Sequence, residues 1–373
     1  MFDNDVLANV REKARGFVRN GNPDWVGYDE FLYSLLPEGS KVVVNTETGE
    51  KLDDMVITSK YVLAAKQAFN EYLNEISNRR GVDHRGYFFN VFRDFHKSLE
   101  GRLTNNQRTK LMQLMLCIQF EDDPLSRFGK PMTTADIAEY LEVSINTARN
   151  KLLNVLCYKS ETMNIEPVLI KKRIGREYYY YFNKKGVYMG PLQGKSEFVK
   201  LFTKKLDEVI KKIQRIEVRK QKRRSKEKGS IKSEKRTSAI GVLHAIIPYF
   251  HYQTYYLVKE PTVNILRPGE TVNQARERDQ NERKRQHKLL PLAQLCRIVT
   301  KNENGNESSM NFQLIQDHID TLQQAKALIY QKTGGKLAIK IHPYLMFSSK
   351  GDGRDEYTKH VLNDFGEIHE NKA

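Results

Sequence analysis

The stretch Thr133–Leu156, TTADIAEYLEVSINTARNKLLNVL, reads as two short helices joined by a tight turn. Residues 167–183, PVLIKKRIGREYYYYFN, then read as two strands around Ile174-Gly175-Arg176. Each apolar position has a task. Ile137, Ala138 and Leu141 recur at helical spacing, with Ala138 small enough for a second helix to cross closely. Val143 plugs the turn and Ser144 is a natural N-cap for the second helix, whose Ala148, Leu152 and Leu156 form the inward stripe. Ser144, Ile145, Asn146, Arg149, Asn150 and Lys151 then fall at its start or on its outward face. Among them are side-chain types that pair with base edges or hold phosphate. This is the pattern of a helix-turn-helix with a wing, and the N-terminal half of the second helix is expected to enter the major groove. Glu142 stands where such turns favour Gly, because Gly takes positive φ without a Cβ clash. It predicts a strained or altered turn.

A pair of amphipathic helices alone fits an ordinary core as well as a reading head. The β-prone runs that follow favour the reading head. Val168–Arg173 carries Lys171, Lys172 and Arg173, and Arg176 sits in the turn, all placed to grip phosphate or the minor groove. In the second run Tyr178, Tyr179, Tyr180 and Tyr181 are expected to alternate, two toward the core and two toward solvent.

The charge agrees with this. The 373 residues carry a formal net charge of +16 and a pI near 9.5, which favours a polyanionic partner without telling DNA from RNA. Lys204–Arg236 holds 15 basic against 5 acidic residues, so most of the excess sits in one segment. Within it Arg219, Lys220, Lys222, Arg223 and Arg224 are expected to lie along phosphates, adding salt-sensitive affinity without sequence choice. Charge runs are more often plain solvated linkers.

The organisation expected is mainly α with small β-hairpins, as tandem winged helix-turn-helix domains joined by a long basic helix. Residues 1–84 form an accessory region, with a helix near Val6–Val18, a hairpin of Lys41–Val44 and Lys51–Val56, and a helix Tyr61–Ile76. Residues 85–192 form the DNA-binding domain, in which two apolar helices from Gly86 onward support the helix-turn-helix. Residues 193–237 are the basic helix and linker. Val199, Phe202, Leu206, Val209, Ile213 and Ile216 give that segment a short heptad-like seam, which fits either a homodimer through 199–216 or packing on its own domain. Residues 238–373 form a second, less basic winged unit. Its helices are expected at Ala239–Leu257, Arg276–Val299 and Phe312–Lys326, and its strands at Ala327–Thr333 and Lys336–His342. That order repeats the first domain weakly, and contact with a partner or a second copy is its expected task.

Several chemistries leave no mark. The nine histidines contain no His-x-His pair for a metal-dependent nickase and no His-x-x-Arg for a tyrosine recombinase. Gly194-Lys195-Ser196 lacks the upstream Gly of a phosphate loop. Asp122-Asp123 and Asp53-Asp54 more often solvate loops than hold magnesium. His244 and His251 read as core or surface histidines. Cys117, Cys157 and Cys296 are too scattered for a zinc site or disulfide framework and read as reduced thiols. No catalytic residue, metal or cofactor is expected. No apolar stretch is long enough for a membrane span, and a cytoplasmic, non-enzymatic protein is the expectation.

The Thr46–Glu50 TETGE hairpin, the run FFNVFRDFHKSL at Phe88–Leu99, and the helix-turn-helix with its wing together resemble the RepL-type plasmid replication proteins of Gram-positive bacteria and related phage winged-helix proteins. The resemblance covers roughly residues 40–192. Gly334–Asp352 is similar to the wing and following Pro-containing segment of the same kind of protein. The resemblance implies sequence-specific binding of double-stranded DNA by a replication initiator or transcriptional regulator. The different-class alternative is an RNA- or single-strand-binding protein that uses the basic linker and the tyrosine-rich strand.

Overall fold

The run GYFFNVF, Gly86–Phe92, is the central strand of a sheet and not the start of a helix. Its aromatic and β-branched side chains suit a pleated surface. Phe88, Phe89, Asn90 and Val91 are all buried, so the strand is covered on both faces and shows an apolar run instead of alternation. The structure is a computed structural model describing residues 82–83, 85–160, 165–190, 197–228, 237–282, 285–299, 312–333, 336–348 and 355–366. The chain divides into two units, Met1–Arg79 and Arg80–Ala373. The first lies outside the described residues, and with it the expected N-terminal helix, the TETGE hairpin and the helix Tyr61–Ile76.

In chain order the second unit begins with β1 (Val82–Asp83), β2 (Gly86–Phe92), α1 (Arg93–Lys97) and α2 (Asn105–Leu114). A small hairpin follows, β3 (Ser126–Arg127) and β4 (Lys130–Pro131), then α3 (Thr134–Tyr140). Helix α4 covers 145–156 in three contiguous pieces: α-helical Ile145–Thr147, a π-helical Ala148–Leu153 and α-helical Asn154–Leu156. The hairpin β5 (Leu169–Ile174) and β6 (Glu177–Phe182) comes next, then β7 (Val187–Tyr188), β8 (Phe198–Phe202) and the long α5 (Thr203–Lys228). The remainder is α6 (Ala239–Ile246), α7 (Val272–Asn281), α8 (Leu292–Val299), α9 (Phe312–Gln324), the hairpin β9 (Leu328–Thr333) and β10 (Lys336–Ile341), β11 (Met346–Phe347) and α10 (Glu356–Asp364).

The fold class expected from the sequence is overturned. The described residues are 47% helical and 21% strand, with several antiparallel sheets, which is a mixed architecture and not a mainly helical pair of winged domains on a connecting helix. The physical reason is the central sheet. β2 pairs antiparallel with β8, from Phe88 opposite Phe202 to Phe92 opposite Phe198. β11 adds to the far edge of β8, and β1 and β7 pair with β2. Strands from the early and late parts of the chain thus share one sheet, and one apolar cluster runs from Phe88 to Phe365.

Buried polar ties fix the same junction. Arg93 donates from Nη1 to the carbonyls of Pro248 at 3.1 Å and Phe250 at 2.5 Å, and from Nη2 to Ser348 Oγ at 3.1 Å. Asn105 on α2 exchanges hydrogen bonds with the backbone of Ser238, the N-cap of α6, at 2.7 and 3.1 Å. The Glu217 carboxylate on α5 accepts from the Ala239 amide at 2.7 Å, which places a negative group at the start of α6. A Cβ on Gly241 would meet the Asn105 carbonyl oxygen at 2.5 Å. Only Gly lets α2 and α6 approach this closely.

Four helical expectations change. The helix expected from Gly86 begins at Arg93, the basic helix expected within 193–237 begins at Thr203, the helix expected over Ala239–Leu257 stops at Ile246, and the single helix expected over Arg276–Val299 is two, α7 and α8. The order strand, helices, hairpin, turn, short strand nevertheless occurs twice, as β2 to β7 and as β8 to β11.

Candidate nucleic-acid interface

Helix α3 starts in a capping box, in which Thr133 Oγ1 accepts from the Asp136 amide and the Asp136 carboxylate accepts from the Thr133 amide at 2.7 Å. The Thr133 donors hold the Asp136 carboxyl below its ordinary range. The helix ends at Leu141 in a Schellman arrangement: Val143 N donates to the Ala138 carbonyl and Glu142 N to the Glu139 carbonyl, both at 3.0 Å, with Glu142 at φ 53. That is the motif in which the residue after the cap must be left-handed. Glu142 therefore occupies the Gly position strained, as its sequence implies, and Val143 packs against the core. Lys110 donates to the freed Leu141 carbonyl at 2.7 Å.

Ser144 caps α4 by accepting from the Thr147 amide at 3.1 Å. Ala148, Leu152 and Leu156 are buried as expected, and Leu153 joins them. The π-helical winding turns Leu153 inward, five residues after Ala148, and widens the buried stripe. Ser144, Ile145, Asn146, Arg149, Asn150 and Lys151 are all exposed. The whole candidate reading set is thus open to solvent, with Ile145 48% exposed.

The β5–β6 hairpin is fastened to this pair of helices. Tyr180 Oη lies 2.8 Å from Thr134 Oγ1, the Tyr180 carbonyl accepts from Leu125 N at 2.8 Å, and Val168 N donates to the Leu156 carbonyl at 2.8 Å. Register places Lys171 opposite Tyr180 and Arg173 opposite Tyr178, while Lys172 stands opposite Tyr179. Residues directly paired share a face. Lys171 and Arg173 therefore extend the face whose base is buried Leu169, Tyr180 and Phe182, and Lys172 projects from the other. The positive charge of Lys171 bears on the Cys157 thiol just past the end of α4, and that of Arg149 bears on Tyr180. At the tip Gly175 has φ 64 and Arg176 is exposed. Lys171 Nζ lies 3.9 Å over the Tyr178 ring and Lys172 Nζ 4.4 Å over the Tyr181 ring. Tyr180 is buried, Tyr178 is exposed, and Tyr179 and Tyr181 are half-buried.

The basic helix divides along its length. Leu206, Val209 and Ile213 are buried in the chain's own core together with Val199 and Phe202 of β8, so the heptad-like seam is occupied within the chain. Lys211 pairs with Asp207 at 2.5 Å and Lys212 with Glu208 at 2.6 Å. Further along, Arg219, Lys222 and Arg223 are exposed. Lys220 instead docks on α9, donating to Thr321 Oγ1 at 2.7 Å and the Asp317 carbonyl at 3.3 Å. Arg224 lies in the same helix, with its side chain outside the described residues.

The β3–β4 hairpin escapes the sequence reading. Arg127 pairs with Lys130 and leaves the two-residue loop Phe128-Gly129, with φ 52 and 74. Phe128 is 89% exposed. The only signal for it was RFGK, two cations spaced by a dipeptide that can turn.

No group of His, Cys, Asp and Glu among the described residues could hold a metal ion. None of the three cysteines is in a disulfide, and burial pushes the thiols of Cys117 and Cys157 up to about 11. His244 and His251 are buried, and burial lowers both imidazoles. Asp122 is exposed and pairs with Lys184 at 2.7 Å. Asp53-Asp54 and Gly194-Lys195-Ser196 lie outside the described residues. No helix among the described residues is long and apolar enough to cross a membrane. Comparisons with protein-family models, with curated proteins and with solved structures find no match to this chain.

Proposed function

We propose that the chain binds double-stranded DNA with sequence preference, acting by binding and not by catalysis, as a cytoplasmic replication initiator or transcriptional regulator of a plasmid or phage. One observation supports this above the rest: Ser144, Asn146, Arg149, Asn150 and Lys151 on α4 and Lys171 and Arg173 on β5 are all exposed, on a hairpin and helix pair tied together by the Tyr180–Thr134 and Val168–Leu156 hydrogen bonds. Arg149, Asn146 and Asn150 serve as the base readers, because a guanidinium pairs with guanine and an amide with adenine in the major groove. Lys171, Arg173 and Arg176 grip phosphate, and Arg219, Lys222 and Arg223 add nonspecific hold. The resemblance of residues 40–192 to RepL-type proteins points the same way.

The test is selection of binding sites from a pool of random duplexes, repeated with Arg149→Ala. Loss of the preferred base at one position, a discrimination of about 1–3 kcal/mol, is the expected result. A variant that selects the same site with the same stringency would remove α4 as the reading element. Preference for RNA or single strands over duplex would favour the alternative use of Tyr178 and the basic helix. Locating the selected site, in an origin as repeats or in a promoter, separates initiator from regulator.

A further inference from the structure

The β3–β4 hairpin carries a residue its own geometry disfavours. Positive φ at both loop positions is the pattern of a type I′ turn, which Asn-Gly, Asp-Gly and Gly-Gly adopt with least strain. Here the first position is Phe128, at φ 52. A bulky residue in the left-handed region is an outlier, and strain of this kind gathers where a side chain is used. The ring is 89% exposed, so burial gives nothing in return.

The stem that carries the ring is held firmly. Leu125 N donates to the Tyr180 carbonyl and Met132 N to the Leu125 carbonyl, both at 2.8 Å, so the hairpin grows out of the strand layer that bears Lys171 and Arg173. The Arg127 guanidinium lies 4.9 Å from the centroids of both Phe128 and Tyr140, bracing the tip against α3. Lys130 on the return strand is exposed. From Pro124 to Ala135 there is no acidic residue. An aromatic ring raised between two cations complements a ligand with anionic edges and apolar faces between them. Stacked base pairs between phosphates have that form, whereas an apolar pocket of a protein gains nothing from the flanking charges.

We propose that Phe128 is a wedge that enters between adjacent base pairs of a DNA duplex, with Arg127 and Lys130 against the phosphates on either side. Apolar side chains inserted in this way unstack a base step and kink the helix, and ring–base stacking adds affinity that tolerates sequence. The inference rests on the duplex-binding reading above, and it assigns the hairpin a task separate from base reading by α4.

The experiment uses the full chain and the duplex enriched from the random pool, with 2-aminopurine placed in turn along the site. Phe128→Asn removes the ring and installs the residue a type I′ turn prefers, so it keeps or raises the melting temperature. The wild-type chain should brighten 2-aminopurine at one step. Phe128→Asn should lose that signal and bind on the order of tenfold more weakly, and Phe128→Trp should retain both. Brightening that persists in Phe128→Asn, or that the wild-type chain never produces, overturns the wedge. So does a loss of affinity confined to single-stranded oligonucleotides. If Arg149→Ala abolishes site preference while Phe128→Asn changes nothing, the wedge alone falls. If the wild-type chain binds no duplex, both readings fall.

Discussion

Glu142 shows how one residue can meet a geometric demand at a cost. Its φ of 53 completes the Schellman arrangement that reverses the chain between α3 and α4. A residue bearing Cβ pays about 1–2 kcal/mol to be left-handed, and Gly returns part of that gain through the freedom of its unfolded chain. Glu142→Gly is therefore expected to stabilise the protein by about 0.5–1 kcal/mol, raising the melting temperature by roughly 2 °C. Glu142→Ala keeps the strain and removes only the carboxylate, so it separates the two contributions. If both variants melt alike, strain is not what the turn carries. Lys326 has the same place at the end of α9: its φ is 60, and Ala327 N donates to the Leu322 carbonyl. The left-handed demand at Glu142 was legible because a helix, a turn and an N-cap lay within a dozen residues. Phe128 was not, since exposure of a ring at a hairpin tip leaves no periodicity to read.

At the scale of elements, the pleat of the β5–β6 hairpin decides which of its cations stand on the face that packs through Tyr180 against the start of α3. Lys171 and Arg173 continue the face of Tyr180, and Lys172 leaves from the opposite face. A phosphate contact contributes about 0.9 to the slope of log affinity against log salt. Lys171→Ala with Arg173→Ala should flatten the slope by about 2, and Lys172→Ala should leave it nearly unchanged. Equal effects from the three positions, measured by titration across 50–300 mM salt (roughly the range over which such slopes are linear), would mean the hairpin does not meet DNA with that face. Local pattern was enough to find α3, α4 and this hairpin, because caps, stripe and turn are all near-neighbour signals. It failed at Gly86–Phe92 and Phe198–Phe202. There the apolar residues of a short strand run straight into a helix, and Val199, Phe202 and Leu206 mimic helical spacing across the join. The π-helical winding that turns Leu153 inward was equally hidden, since it depends on what α4 packs against.

At the scale of the whole molecule, the pairing of β2 with β8 joins residues more than a hundred positions apart, and no local window contains that contact. Its consequence is a core with unusual polar contents. His96 and His244 lie with ring centroids 5.1 Å apart beside buried Arg108, whose Nη1 is 3.3 Å from His244 Nδ1. His251 and His287 are likewise 5.1 Å apart, bridged by Thr254 Oγ1 at 3.1 and 2.8 Å. Burial, reinforced by neighbouring positive groups, lowers His96 and His287 to about 3 and His251 to about 4, and drives His244 well below its ordinary value. The unfolded chain takes up these protons near pH 6.5 (about the free imidazole value) and the folded chain does not. The unfolded state thus binds more protons between the two values, and folded stability rises with pH there. The contribution is complete above about pH 6.5 and is lost as pH falls toward the folded values. At pH 5.5 each such histidine costs about 1.4 kcal/mol, and four together take up a large part of the roughly 5–15 kcal/mol that holds a typical domain. Denaturant midpoints should therefore drop steeply between pH 7.5 and 5.5, before the carboxylates titrate. A level midpoint across that interval would mean that these imidazoles reach solvent and that the junction beneath the shared sheet is not closed.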